Sequence, residues 1–277
     1  YQFKPEPPFV VGMDLAGVVD AAGPGVSGLA PAMRVAGGAK TGAFAEFAIC
    51  PATALHAVPD NMPAPLAAAY PAAYVTAHVS LIERGALKAG ETLLVHGASG
   101  GVGMATIDVG RLLGARVIAT TASAAKVQAL KSAGAHEVIV LGPKPGDAFR
   151  EQVKALTGGK GADVIFDPVG GDVFDESLRC IAFNGRLLVI GFAGGRIAQL
   201  PTNIALIKGF SVIGARAGEY CRQFPEEGRR IRGEIWRWAA EGKTRPHVFA
   251  ELPLDHWREA FELMRDRRLV GKVVLRP

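Results

Sequence analysis

Cysteine is scarce in this chain and badly placed for cross-linking. Cys50, Cys180 and Cys221 lie far apart in 277 residues with no C-x-x-C pair. Neither a disulfide framework nor a structural zinc is indicated, and a reducing intracellular compartment is expected. Long apolar runs are also missing. The most apolar window, Ala64 to Ile82, is mostly alanine, is broken by Pro65 and Pro71 and contains His78, which is too weakly hydrophobic for a membrane span. No secretory signal is visible, so the expected location is cytoplasmic. The six histidines, at 56, 78, 96, 136, 247 and 256, show no i,i+4 or metal-ligand spacing, and each is read as structural. No Ser-His-Asp arrangement, paired-carboxylate signal, internal repeat or low-complexity linker stands out. Lys and Arg residues, net charge +5, are scattered and form no basic stripe, so nucleic-acid binding is not indicated.

The chain is long for one domain and comfortable for two. Its 49% hydrophobic and 21% charged content suits a globular protein with ample core. The informative stretch is Thr92–Lys126. Thr92 to His96 is a short apolar run, followed by Gly97-Ala98-Ser99-Gly100-Gly101-Val102-Gly103. A helical stretch from Met104 ends at Gly114, and a second apolar run covers Arg116–Thr120. That is a strand, a glycine turn, a helix and a parallel strand. Glycines at 97, 100 and 103 stand where a dinucleotide fold needs a tight turn, bare backbone against a pyrophosphate and close helix–strand packing. A helix starting near Gly101 aims its free N–H groups at those phosphates, which selects Ser99, Gly100, Gly101, Val102 and Gly103 as cofactor contacts.

A site for NAD holds the ribose 2′-hydroxyl with an Asp or Glu at the end of the second strand. Here no acidic residue occurs between Asp108 and Glu137. A carboxylate would repel a 2′-phosphate, whereas Ser123 and Lys126 can hydrogen-bond and neutralise one. The reading is NADPH. The plain alternative is that Ser123 caps the next helix and Lys126 is a solvated helix residue.

Residues 1–74 are rich in Gly, Pro and Ala, with short Val and Phe runs and frequent turn signals, as short strands in a compact β domain would be. A helical pattern over Ala67–Ala86 leads into the Rossmann unit, with Tyr70 and Tyr74 as packing residues. After Lys126 the order is helix to Ala133, strand Glu137–Leu141, helix Phe149–Thr157, strand Asp163–Asp167, helix Val173–Ala182, strand Arg186–Ile190, a short helix capped by Asn203, and strand Phe210–Gly214. The result is an α/β chain with a doubly wound parallel sheet of six strands. Ligands bind beyond the carboxyl ends of such strands, which adds Val169, Gly191, Phe192 and Ala193 to the cofactor contacts; core packing is the alternative for Phe192. An amphipathic helix over Arg222–Glu241, a segment Pro246–Pro253, a helix Asp255–Arg267 and a strand Val273–Leu275 complete the chain.

The residues from Gly90 to Arg111, reading GETLLVHGASGGVGMATIDVGR, resemble the signature of the zinc-free quinone oxidoreductase and zeta-crystallin branch of the medium-chain dehydrogenase/reductase superfamily. Asp108 departs from it, since the signature has Gln there. The resemblance continues through Phe166-Asp167-Pro168-Val169-Gly170-Gly171, Gly191-Phe192-Ala193 and Gly271-Lys272-Val273-Val274-Leu275. It implies a GroES-like substrate domain over 1–74 and 246–277 and a Rossmann domain over 75–245. It also implies further residues ahead of Tyr1, so that the GroES-like domain is truncated here. Gly12-Met13-Asp14-x-x-Gly17 resembles the zinc-dehydrogenase opening Gly-His-Glu, with Met13 in the metal-ligand position; a thioether is a poor zinc ligand, so no catalytic zinc is expected. By the resemblance Tyr1 and Thr76 lie beside the nicotinamide and are the candidate catalytic residues, although Thr76 can equally bond its own backbone. The expected activity is NADPH-dependent reduction of a quinone or similar electrophilic carbonyl. Reduction of an enone or 2-enoyl thioester, or non-catalytic NADPH binding, are the alternatives. The expected partners are a small-molecule quinone or enone and a second copy of the chain, joined as a homodimer near Phe210–Arg216; no nucleic acid or membrane is expected.

Overall fold

The structure, a computed structural model, describes residues 4–142 and 149–277. Two compact units are present. One contains the residues up to Ala73 together with Trp236–Pro277, and the other is Tyr74–Ile235.

In the first unit, β1 (Asp14–Val18), β2 (Arg34–Gly38) and β3 (Leu55–Ala57) form an antiparallel sheet in that order. The strands are short because glycines and prolines punctuate them every few residues. Helix α1 (Ala64–Ala69) stops before α2 (Pro71–His78), so the expected single helix over Ala67–Ala86 is broken. Pro71 lacks the N–H that would continue the ladder, and its ring clashes with the preceding turn. A π-helical turn, Val79–Arg84, then replaces regular α structure.

The second unit carries a six-stranded, all-parallel sheet. Its elements are β4 (Thr92–Val95), α3 (Gly101–Leu112), β5 (Arg116–Thr121), α4 (Val127–Ser132), β6 (Glu137–Val140), α5 (Phe149–Leu156), β7 (Ala162–Asp167), α6 (Gly171–Cys180), β8 (Ile181–Val189), α7 (Thr202–Lys208) and β9 (Ser211–Gly214). The strand order β6-β5-β4-β7-β8-β9 reverses direction of growth between β4 and β7, which is the doubly wound pattern. Successive side chains serve opposite faces. Leu94, Ile118, Ile165 and Leu187 join Phe149, Val153, Val173, Phe174 and Leu178 in one core layer. Leu93 and Val117 meet α3, which approaches so closely that a Cβ on Gly110 would lie 2.6 Å from the Leu93 side chain. Burial of each large side chain contributes about 1.5–3 kcal/mol relative to exposure, and strands covered on both faces read as continuous apolar runs for that reason.

Helix α7 begins at Thr202 after Pro201, so Asn203 lies inside the first turn and is not its cap. The expected helix over Arg222–Glu241 is two, α8 (Ala217–Gln223) and α9 (Pro225–Ala240), parted at Phe224 because Pro225 starts a new helix more readily than it continues one.

The chain then returns to the first unit as β10 (Val248–Pro253), α10 (Trp257–Arg265) and β11 (Lys272–Arg276), with β10 and β11 parallel. Lys272 Nζ pairs with Asp14 of β1 at 2.5 Å. Trp236 lies 5.1 Å from the Tyr70 ring and 6.3 Å from His56, which places the end of α9 in this unit. The Tyr70 hydroxyl shares a 2.6 Å hydrogen bond with Thr244.

Candidate functional site

All six strands of the parallel sheet end on one edge, and the turns leaving that edge carry most of the candidate residues. After β4, Gly97 takes a left-handed φ of 56°; a Cβ there would also meet Pro168 at 3.1 Å and Val169 at 3.5 Å. The Gly100 N–H donates to the Gly97 carbonyl at 3.0 Å and closes the turn. Gly103 lets α3 descend onto the strand, since its Cβ would stand 2.4 Å from the Gly97 oxygen and 2.7 Å from the Ala98 Cα. Gly100 has one neighbour, that same oxygen at 3.4 Å, and otherwise faces open space.

Gly100 is the N-cap of α3 and offers no capping side chain, and no acidic residue stands in the first turn. The N–H groups of Gly101, Val102 and Gly103 therefore have no intrahelical acceptor, and the positive end of the helix dipole is uncompensated. Ser99, Gly100, Gly101 and Val102 are partly open to solvent. Bare backbone, unclaimed donors and positive potential fit a pyrophosphate.

One strand over, Ser123 precedes the 3-10 turn Ala124–Lys126 and makes no capping hydrogen bond with its side chain. Its N–H donates to Thr121 Oγ1 at 3.3 Å. Ser123 and Lys126 are both half-buried, and no carboxylate lies in sequence between Asp108 and Glu137.

On the other side of β4, the turn after β7 is held by its own carboxylate. Asp167 is buried and accepts the N–H groups of Val169 at 2.8 Å and Gly170 at 2.9 Å. The loop after β8 folds onto this turn: Ala193 N–H donates to the Pro168 oxygen at 3.0 Å and Gly194 N–H to that of Val169 at 2.8 Å. Gly191 permits the approach, with a would-be Cβ 3.2 Å from the Pro168 oxygen. Phe192 is half exposed and so is not a core residue. Arg196 bonds Asp172 at 2.7 Å and also Asp175, fastening the loop to α6.

Beneath the β4 turn lies His96, fully buried. Nδ1 bonds Thr120 Oγ1 at 3.0 Å and Nε2 bonds Ser177 Oγ at 2.9 Å. Burial holds its pKa down to about 4, against the opposing pull of Asp167, so the ring is neutral.

The structure thus brings Ser99 to Gly103, Ser123, Lys126, Val169 and Gly191 to Ala193 to the ends of neighbouring strands. Thr76 is half-buried on α2, and Tyr1 lies outside the described residues. Asp108 accepts the Tyr74 hydroxyl at 2.8 Å and pairs with Arg111 at 3.2 Å, tying α3 to α2. The sequence leaves the roles of His96 and Arg196 unassigned, and it places Asp167 at a strand end without its part in holding the turn. A lone buried histidine carries no signal in sequence. Met13 is exposed ahead of β1, and among the described residues no group of three or more His, Cys, Asp or Glu is placed to hold a metal ion. Cys180 is buried and its thiol is pushed up to about 12, which leaves it unreactive.

A GroES-like domain joined to a doubly wound parallel sheet is the architecture of the medium-chain dehydrogenases and reductases. Residues 1–60 match the alcohol dehydrogenase GroES-like domain and residues 101–232 the zinc-binding dehydrogenase family. The mouse quinone oxidoreductase-like protein 2 is 37% identical over 276 residues, which is 99% of this chain and 78% of that protein. A mycobacterial structure complexed with NADPH superposes with a TM-score of 0.91 at 32% identity, covering 100% of this chain and 85% of the other. The Escherichia coli quinone oxidoreductase complexed with NADPH gives 0.87 at 28% identity, covering 99% and 84%. The chain belongs to the quinone oxidoreductase branch of that superfamily.

Proposed function

We propose that the protein is an NADPH-dependent oxidoreductase that reduces quinones or similarly electrophilic carbonyls without zinc. The observation that carries the reading is the turn after β5, where Ser123 and Lys126 stand and the sequence offers no carboxylate between Asp108 and Glu137. An adenosine 2′-phosphate meets a hydroxyl and a cation there. The free donors of α3 hold the pyrophosphate, and Val169 with Gly191, Phe192 and Ala193 lines the nicotinamide. The similarity to quinone oxidoreductase-like proteins and to two NADPH-bound structures supports the cofactor and the acceptor class.

When bound, the reduced cofactor supplies a hydride. The chain supplies position and a dry surround, and by the family resemblance the Thr76 hydroxyl is the candidate donor to an acceptor oxygen. Among the described residues no cluster of metal ligands is placed to polarise an acceptor, and Met13 is a poor donor for zinc. That arrangement suits acceptors that are already electron-poor. The oligomer proposed is a homodimer joined along β9, the edge strand, beside which Phe183, Leu206 and Ile207 are exposed.

Fluorescence titration with NADPH and NADH, then addition of a simple quinone, tests the reading. Tight NADPH binding with oxidation on quinone addition is the expected result. Binding with turnover of a 2-enoyl thioester alone would reassign the acceptor, and no turnover of either would leave a binding protein. A monomer on sizing would reject the dimer.

A further inference from the structure

We propose that His96 is a positioning residue that fixes the spacing between the glycine turn after β4 and the Ser123–Lys126 turn after β5, and through that spacing sets the preference for NADPH over NADH. The inference rests on the cofactor reading above.

The ladder between β4 and β5 ends at the pair Val95 and Ala119. Beyond it the two chains diverge into different helices, although one dinucleotide must reach both turns. Among the described residues three contacts cross the gap, one of them the Thr120 hydroxyl's long 3.4 Å approach to the Val95 carbonyl. The Ala98 N–H reaches the Thr120 carbonyl at a long 3.4 Å, and the His96 ring reaches the Thr120 hydroxyl at 3.0 Å. The bond from the His96 ring is the shortest of the three and extends the strand pairing by one residue.

The ring is itself anchored. Ser177 Oγ donates to the Val173 carbonyl at 2.7 Å, so toward His96 it accepts, and Nε2 carries the proton. Nδ1 then presents a lone pair to the Thr120 hydroxyl. Phe149 closes the ring's edge at 5.1 Å, and the imidazole is fully buried, so no water replaces either bond if it is lost. From Thr120 the connection runs through Thr121, whose hydroxyl takes the Ser123 N–H. The shortest connection from the β4 turn to Ser123 therefore passes through one buried ring.

The pyrophosphate seat is built by α3 and its own turn and survives a shift of β5. The 2′-phosphate contact does not, because a charge-assisted bond weakens steeply once its geometry is lost. NADH has no 2′-phosphate and does not register the shift. A general loosening of the fold would weaken both cofactors alike, so the ratio of their dissociation constants separates positioning from mere structural support.

The experiment measures Kd for NADPH and NADH by fluorescence titration of the unmodified protein, His96→Leu, His96→Gln, Thr120→Val and Ser177→Ala. His96→Leu is expected to raise the NADPH Kd about tenfold with little change for NADH. His96→Gln keeps a donor and an acceptor and recovers most of the ratio. Thr120→Val, which removes the hydroxyl's short bond to the ring and its long one to the Val95 carbonyl, reproduces the loss, and Ser177→Ala leaves the ratio within about twofold. If His96→Leu does not fold, Thr120→Val decides. An unchanged ratio in a folded His96→Leu or Thr120→Val, or equal weakening of both cofactors, overturns the proposal. An unmodified protein with no preference for NADPH overturns the cofactor reading and this inference with it, and shows itself before any variant is made.

Discussion

Two strand–turn–helix corners sit side by side on the sheet edge, and they use the same geometry in opposite ways. The corner from β7 to α6 is closed on itself: Asp167 takes two turn N–H groups, and Asp172 stands in the first turn of α6. The corner from β4 to α3 has glycines in the turn, no acid in the first turn of its helix and a neutral histidine at the strand end. A buried carboxylate satisfies the first corner's donors and cancels its dipole, while the second keeps both for a ligand. Sheet topology alone offers both corners to a cofactor. The residue at the strand end decides which one remains electropositive.

The largest effect that tests this comparison is on the open corner's backbone. Gly103→Val places a Cβ among main-chain atoms at 2.4 and 2.7 Å, none of which can rotate away, and is expected to cost about 3 kcal/mol or more in urea unfolding. Gly100→Ala is the control. Its Cβ meets one oxygen at 3.4 Å and otherwise the opening, so stability should change by less than about 1 kcal/mol. NADPH affinity should nevertheless fall at least about tenfold as the methyl enters the space proposed for the pyrophosphate. A destabilised Gly100→Ala with normal affinity would break the assignment of the open corner.

The neutral histidine gives the next effect. Its pKa is about 4 in the fold against about 6.5 unfolded. Between those values the unfolded chain binds the proton and the fold does not. The contribution is therefore complete above about pH 6.5 and declines as pH falls toward 4, by about 2 kcal/mol at pH 5. Unfolding free energies at pH 7.5 and pH 5 should converge between the unmodified protein and His96→Gln as pH drops. Parallel curves would show that this ring does not stay neutral.

The open corner was legible because its geometry is made of glycines, and glycine spacing after an apolar run is visible in sequence. So were the six strands, whose apolar runs follow from burial on both faces. Less legible were features set by packing. The π turn at Val79–Arg84 and the pairing of Tyr74 with Asp108 depend on which helices meet. Nothing in the order Val95-His96-Gly97 says that the ring will find Thr120 and Ser177, because its partners are 24 and 81 residues away. Asn203 shows the converse: its residue type favours a cap, yet Pro201 already stops the chain at that place.

Lys126 tests how far the open corner's positive character reaches. Lys126→Ala should weaken NADPH binding by about 1–3 kcal/mol and leave NADH nearly unchanged, since the lost contact is charge-assisted and meets only the 2′-phosphate. Titrations at low and moderate salt would check it, with the difference shrinking as salt rises. Equal loss for both cofactors would confine the cofactor's charge recognition to α3.

The smallest effect belongs to the closed corner. Arg196 bridges Asp172 and Asp175 at the surface, where solvent screens the pairs and side-chain entropy opposes them. If the buried Asp167 is what holds that corner, Arg196→Ala should leave Tm unresolved from the unmodified protein at moderate salt, while Asp167→Ala, which strands two turn amides, lowers it clearly. The comparison would then stand on buried hydrogen bonds. A matching loss from Arg196→Ala would mean that the loop after β8 is clamped from outside, and that the closed corner owes its shape to the pairing of exposed charges across Gly171 as much as to the carboxylate beneath it.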